Sequence, residues 1–71
     1  METMPDRLKA LRIENGKKAD QVALMLGVSV KAVYAWEAGE YSPGINSLIR
    51  ISEIFNTTLD WIIKGKGNPP Q

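Results

Sequence analysis

The chain contains no cysteine and no histidine among its 71 residues. Without cysteine it can form neither a disulfide framework nor a thiolate metal site. Without histidine it lacks the usual metal ligand and the usual general base, and no pair of other side chains is placed for catalysis. We therefore expect a protein that is not an enzyme and that needs no metal or cofactor.

Long apolar runs, a signal peptide, strand patterns, internal repeats and a phosphate-binding glycine loop are also missing from the sequence. No apolar run approaches the roughly 18 residues of a membrane span. The N-terminal residues, Met1-Glu2-Thr3-Met4, are too polar for a signal peptide. The apolar fraction of 44% is that of a globular protein rather than of a disordered chain. We expect one domain with one core, located in the cytoplasm.

Neither sign of charge is in large excess, because nine basic and eight acidic residues give a net charge of +1. This balance is weak support for nucleic-acid binding, since strong binders are often much more basic. The distribution of the basic residues is more informative. They lie mainly in the first half and near the C-terminus, at Lys9, Arg12, Lys17, Lys18, Lys31, Lys64 and Lys66.

The stretch 18–37 carries the most informative pattern. Apolar residues at 22, 23 and 26, and again at 33 and 36, recur with helical spacing. Gly27 lies where the first helix needs a left-handed residue, and Ser29 can cap the second helix through its hydroxyl oxygen. This order is typical of a helix-turn-helix motif, whose second helix can enter the major groove of DNA. It also fits a helical hairpin in a small domain with no DNA-binding function.

The whole sequence predicts an all-α domain. We expect helices near 5–14, 19–26, 30–37, 45–55 and 59–63, the last capped by Thr58. The expected boundaries are a frayed N-terminus at 1–5, a folded domain at 6–64 and a flexible tail or linker at 65–71. The expected core consists of apolar residues with helical spacing: Leu8, Leu11, Val22, Ala23, Leu26, Val28, Val33, Trp36, Ile45, Leu48, Ile51, Phe55, Leu59 and Ile62.

Over residues 6–65 the chain resembles the phage repressor and Cro-type (Xre-like) helix-turn-helix family. The matching residues lie in all five predicted helices: Arg7-Leu8-Lys9, Leu11-Arg12, Asn15-Gly16, Val22-Ala23, Leu26-Gly27-Val28-Ser29, Val33, Trp36-Glu37-Ala38-Gly39, Pro43, Leu48, Phe55 and Leu59-Asp60-Trp61. The resemblance implies a lambda-repressor-like fold of five helices, with the helix-turn-helix at helices 2 and 3. It also implies a sequence-specific transcriptional regulator, expected to be a repressor. Such a protein binds operator DNA as a dimer, with the helix near 30–37 in the major groove.

In this family the residues at the positions of Arg12 and Glu37 form a salt bridge between the first and third helices. Both residues lie near an apolar face, where a partly buried charge needs a partner, so the physical argument agrees. Arg12 could also present one edge to a phosphate. Ala19 is a departure, because the family usually has a DNA-contacting glutamine at that position. Two lysines, Lys17 and Lys18, precede Ala19, and their positive charges interact unfavourably with the dipole at a helix N-terminus. They are either solvated or close to DNA phosphates, whose negative charge would offset this cost.

The groove-facing residues of the third helix are expected to be Val30, Lys31, Ala32, Tyr34 and Ala35. Lys31 could donate to guanine N7 and O6, and the three small apolar residues could pack against thymine methyl groups. Tyr34 could reach a phosphate or a base edge, and Ala32 has a buried position as its alternative. Such a helix predicts modest direct readout, with part of the specificity coming from DNA shape. The expected DNA-binding residues are Lys17, Lys18, Ser29, Val30, Lys31, Ala32, Tyr34, Ala35 and Ser42.

The short last helix suggests a dimer interface. Trp61, Ile62 and Ile63 are consecutive, and one helix cannot turn all three toward its own core. We expect at least one of them, Trp61 or Ile63, to be exposed and the three to form a weak homodimer that tightens on DNA. The alternative for Trp61 is partial burial against Phe55 and the C-terminal tail.

A second hypothesis is a protein-interaction module that keeps the helix-turn-helix scaffold. Its apolar third helix would bind a protein, with little or no DNA binding. The low net charge and Ala19 favour this hypothesis, whereas Lys17, Lys18 and Lys31 favour DNA. Salt-dependent binding to duplex DNA distinguishes the two.

Overall fold

A computed structural model describes residues 2–67, and within this range the chain forms five α-helices and no strand. They are α1 (Met4–Glu14), α2 (Ala19–Leu26), α3 (Val30–Ala38), α4 (Ile45–Ile54) and α5 (Leu59–Lys64). The predicted all-α fold is confirmed, with helix ends within one residue of those expected. None of the helices in this range is long and apolar enough to cross a membrane.

The start of α1 differs from the predicted frayed N-terminus at 1–5. Thr3 caps the helix: its hydroxyl accepts from the Asp6 amide at 3.4 Å, and the Thr3 amide donates to the Asp6 carboxylate at 3.1 Å. Met4 and Pro5 already belong to the helix, where proline suits the first turn. The hydrogen bonds from Thr3 hold the pKa of the Asp6 carboxyl below its ordinary value. Reciprocal capping of this kind fixes the N-terminus from residue 3 onward.

The turn between α2 and α3 forms as the sequence predicts. Gly27 ends α2 in the left-handed region, with φ at 71°, where a side chain would be strained. Ser29 then caps α3, because its hydroxyl oxygen accepts from the Ala32 amide at 3.1 Å. Thr58 caps α5 in the same way through the Trp61 amide. Local signals therefore set the direction in which α3 leaves the turn.

The helices enclose one core, and most of the predicted core residues are in it. Leu26, Val28 and Leu59 are only partly buried against the cluster. The prediction that Ile45 belongs to the core is wrong, since 60% of its surface is exposed. Ile45 is the first residue of α4 and lies beyond the edge of the core. Ala19 was not predicted, yet its methyl group is buried in the cluster. The buried residues of the core cluster are Leu8, Leu11, Ala19, Val22, Ala23, Val33, Trp36, Leu48, Ile51, Phe55 and Ile62.

A buried arginine, which the sequence analysis did not single out, joins α1 to the end of α5. The Arg7 guanidinium donates from Nε to the Ile62 carbonyl and from Nη2 to the Ile63 carbonyl, both at 2.9 Å. These carbonyls lie in the last turn of α5 and have no partner within the helix. Gly65 follows with φ at 69°, and a Cβ there would lie 2.9 Å from Arg7 Nη1. The predicted tail at 65–71 thus begins with an ordered helix cap, and residues 68–71 lie outside the described range.

Candidate nucleic-acid interface

One side of α3 faces solvent and carries three different side chains. Val30 and Tyr34, four positions apart, share this side of the helix, and Lys31 lies beside them. All three are exposed, Val30 with 41% of its surface, whereas Val33 and Trp36 point into the core. We call Val30, Lys31 and Tyr34 the α3 ridge. It offers an isopropyl group, an ammonium group and a phenol to any ligand that approaches the helix.

The two alanines predicted to face the groove do not belong to the ridge. The prediction for Ala35 is wrong, because only 5% of its surface is exposed. Ala32 is partly buried against the core, and its amide donates to the Ser29 cap. The reason is that α3 packs against both α1 and α2, so the core covers a wider arc of the helix than one apolar face. Direct contact with a groove therefore falls to fewer residues than expected.

The other predicted contact residues lie at the ends of neighbouring helices. Ser29 is exposed at the start of α3, where its hydroxyl oxygen already accepts from a helix amide but its proton remains free to be donated. Ser42 is exposed in the loop 39–44 between α3 and α4. Tyr41, next to it, is exposed as well and was not predicted.

Lys17 and Lys18 lie just before α2. Lys18 is exposed and Lys17 is half-buried. Lys18 provides no side-chain cap for α2; instead its amide donates to the Gln21 side-chain oxygen at 2.7 Å. The backbone of Lys17 is fixed from the other side, since its carbonyl accepts from Arg12 Nη1 at 3.1 Å. Both lysines thus start from a backbone that is held by side-chain hydrogen bonds just before α2.

The ion pair implied for Arg12 and Glu37 is present and has bidentate geometry. Arg12 Nε donates to Glu37 Oε2 at 2.7 Å, and Nη2 donates to Oε1 at 2.9 Å. The two side chains are 14% and 8% exposed. The hydrogen bond to Glu37 raises the pKa of Arg12 above its ordinary value, so the guanidinium stays charged throughout the physiological range. With Nη1 on the Lys17 carbonyl, this one side chain links α1, α3 and the entry to α2.

Tyr34 also lines a surface groove between α1 and α3. The groove encloses about 220 Å³, and its other walls are Lys9, Arg12, Glu37 and Ala38. The phenol therefore leans toward α1 and is near enough to act on the pKa of Arg12. Only the fold shows that Lys9 shares this groove with Tyr34. No signal in the sequence alone could have brought these two residues together.

The predicted dimer residues on α5 have three different environments. Ile62 is fully buried, with 0% exposure, and its carbonyl holds Arg7; its assignment to a dimer interface is therefore wrong. Trp61 is partly buried against the core cluster. Ile63 is 43% exposed and remains available to a partner. A short helix directs one of three consecutive residues fully inward, and here it is the middle one.

No group of three or more acidic side chains within residues 2–67 is placed to hold a metal ion. The arrangement that remains is an exposed ridge on a capped helix, with two lysines just before α2 and a buried ion pair between α1 and α3. Side chains of this kind can donate hydrogen bonds, pack against small apolar groups and attract anions.

Comparison with known proteins gives a consistent result. A helix-turn-helix family model (HTH_3, of the Cro/C1 type) matches residues 8–62. The P22 c2 repressor protein, solved in complex with synthetic operator 9T, superposes with a TM-score of 0.87 at 27% identity. The match covers 93% of this chain and 100% of that one.

Two curated relatives are proteins of bacteria. YqaE of Bacillus subtilis, called an uncharacterized HTH-type transcriptional regulator, is 33% identical over 63 residues, which are 89% of this chain and 54% of YqaE. BcrR of Enterococcus faecalis, called an HTH-type transcriptional activator, is 34% identical over 61 residues, which are 86% of this chain and 30% of BcrR. The chain thus spans about half of the first relative and less of the second.

Proposed function

This chain belongs to the Cro/C1-type helix-turn-helix family of DNA-binding transcriptional regulators, and from this premise we propose that it represses transcription by binding operator DNA through α3. The observation that carries the proposal is the α3 ridge. Val30, Lys31 and Tyr34 are exposed on the second helix of the motif, and the Ser29 cap fixes where that helix begins. The second helix of such a motif is the one that enters the major groove.

The chemistry of the ridge suggests which base contacts it makes. Lys31 is the one cation on α3, and we assign it to guanine N7 and O6. Val30 can contact only an apolar group, and we assign Tyr34 to the DNA backbone. Since the two alanines are withdrawn from the surface, few base edges are read directly. Sequence-dependent shape and deformability of the DNA then contribute the rest of the specificity.

Contacts to phosphates would come from the residues around the ridge. The positive charges of Lys17 and Lys18, just before α2, interact unfavourably with the positive end of the helix dipole in the free protein. A phosphate between them and the first-turn amides of α2 would convert this cost into binding energy. The exposed hydroxyls of Ser29 and Ser42 can donate to phosphate oxygens on either side of the groove.

We further propose that two copies bind one operator. A single domain of this size covers about half a site, and two-fold related copies would place their α3 helices about one helical turn apart. Ile63 is the proposed contact on the C-terminal side, because Trp61 is partly buried and lies on a different side of α5. Because this apolar patch is small, the dimer should be weak in solution and should tighten on DNA.

Repression is proposed because the P22 c2 repressor chain solved with operator DNA superposes on this chain with a TM-score of 0.87 at 27% identity. We place the protein in the cytoplasm, since its ligand would be DNA, and we propose no catalytic activity for it.

A protein-interaction module is the second candidate function. The observation that favours it is the apolar character of the ridge, where Val30 and Tyr34 are both exposed on a domain with a net charge of only +1. A protein partner could bury both side chains against an apolar surface of its own. This candidate predicts no salt-dependent binding to duplex DNA.

Fluorescence anisotropy with random-sequence duplex DNA at two salt concentrations distinguishes these functions. DNA binding predicts an affinity that falls steeply with salt. Lys17→Ala and Lys18→Ala should each reduce the slope of log K against log salt by about 0.9. Lys66→Ala, an exposed lysine outside the proposed interface, is the matched control and should leave the slope unchanged. Binding that is absent at both salt concentrations would reject the proposed function.

A further inference from the structure

Val30 is an apolar side chain that the fold does not use. It is 41% exposed, and it belongs neither to the buried core nor to the residues packed against it. It is the first residue of α3, directly after the Ser29 cap, so its backbone is held in place before any ligand arrives. A branched side chain in this position also has few rotamers to lose on binding.

We propose that Val30 contacts the C5-methyl group of a pyrimidine whichever base carries it. In that case 5-methylcytosine can take the place of thymine at the contacted position. The inference rests on the proposed function, in which α3 lies in the major groove. It adds that the affinity for a given operator depends on cytosine methylation.

The chemistry of the major groove leads to this assignment. The edges of the base pairs there present hydrogen-bond donors and acceptors, and the apolar group among them is the thymine C5-methyl. An isopropyl group gains nothing from N7, O6, O4 or an amino group, but it can bury a methyl group. The methyl carbon of 5-methylcytosine occupies the same position on the ring. A contact made by apolar packing alone cannot distinguish the two bases by that group.

The neighbouring side chains leave this role to Val30. Ala35 is buried and Ala32 is partly buried, so neither can replace it. Tyr34 is exposed but lines the groove toward α1 with Lys9 and Arg12. Lys31 is a hydrogen-bond donor and has no preference for a methyl group over hydrogen. One side chain on the ridge is therefore matched to this group, and the others differ from it in chemistry.

Selection from random-sequence duplex pools tests the proposal with the whole chain. The standard pool contains thymine and cytosine. A second pool carries 5-methylcytosine in place of cytosine, and a third carries uracil in place of thymine as well. Burying one methyl group is worth about fourfold in affinity. The reference is the ratio of cytosine to thymine selected at the contacted position from the standard pool. The ratio of 5-methylcytosine to thymine in the second pool should exceed it by about fourfold. The ratio of 5-methylcytosine to uracil in the third pool should exceed it by about 15-fold.

Val30→Ala should abolish these shifts while retaining salt-dependent binding. Ile13→Ala, an exposed apolar residue on α1, is the matched control and should leave the shifts intact. If wild type binds all three pools with the same pyrimidine preference at every position, the methyl contact is refuted and the proposed function stands. If no pool binds in a salt-dependent way, the proposed function fails and this inference fails with it.

Discussion

Removing the Glu37 carboxylate should destabilise the fold far more than an ordinary surface substitution. In Glu37→Ala the Arg12 guanidinium loses two charge-assisted hydrogen bonds, of 2.7 and 2.9 Å. Its side chain is only 14% exposed, so water can replace the lost partner only in part. Breaking a buried pair in this way typically costs about 3–5 kcal/mol. The partial exposure and the remaining bond to the Lys17 carbonyl reduce our expectation to roughly 2–4 kcal/mol.

Thermal and urea unfolding of four proteins measures this effect: wild type, Glu37→Ala, Arg12→Ala and the double variant. For a domain of this size, the expected loss in Glu37→Ala corresponds to a fall in Tm of about 8–30 °C. The double variant should lose less stability than the sum of the two single variants, because it leaves no unpaired buried charge. Strict additivity of the two losses would refute the argument that the pair is coupled.

Three further predictions follow from the helix ends and the exposed residues. Because the pKa of Asp6 is lowered below 3.8 in the fold, its contribution to stability should be present above that pH and disappear as the pH falls through the lowered value. Thermal melts should therefore show a gap between wild type and Asp6→Asn at neutral pH that closes in acid; a constant gap would contradict this. Gly65→Ala should cost more than Gly16→Ala in urea unfolding, about 2–3 against 1 kcal/mol. Both glycines have positive φ, but only a Cβ at 65 meets the Arg7 guanidinium, so equal costs would show that this contact is harmless. Ile63→Lys should reduce the number of proteins bound per palindromic duplex in sedimentation from two to one. Ile13→Lys is the control, and an unchanged stoichiometry and affinity in Ile63→Lys would exclude this dimer contact.

The helices and the motif could be predicted because their signals are local. Gly27 and Ser29 determine the turn within a few residues, whatever the rest of the chain does. Thr58 caps α5 by the same short-range chemistry. The partnership of Arg12 with Glu37 spans 25 residues and was predicted from family resemblance combined with the cost of an unpaired charge.

The residues that were predicted wrongly depend on how helices pack, which local pattern does not specify. Ala35 is buried because two helices cover α3 rather than one. Ile45 is exposed because the first residue of α4 lies beyond the core edge. The rotation of α5, which buries Ile62 and exposes Ile63, is set by contacts with other helices. Arg7 was missed because its partners lie 55 and 56 residues away in the sequence.

The most direct test of the central claim is an NMR titration of the isotopically labelled chain with a duplex selected from a random library. We predict that the largest amide shifts fall on residues 29–34 and on Lys17 and Lys18, with small shifts around Ile13 on α1. The same titration with Lys31→Ala should weaken the shifts on α3. Shifts that map to another face of the domain, or a titration without shifts on α3, would contradict the proposal that this helix binds DNA.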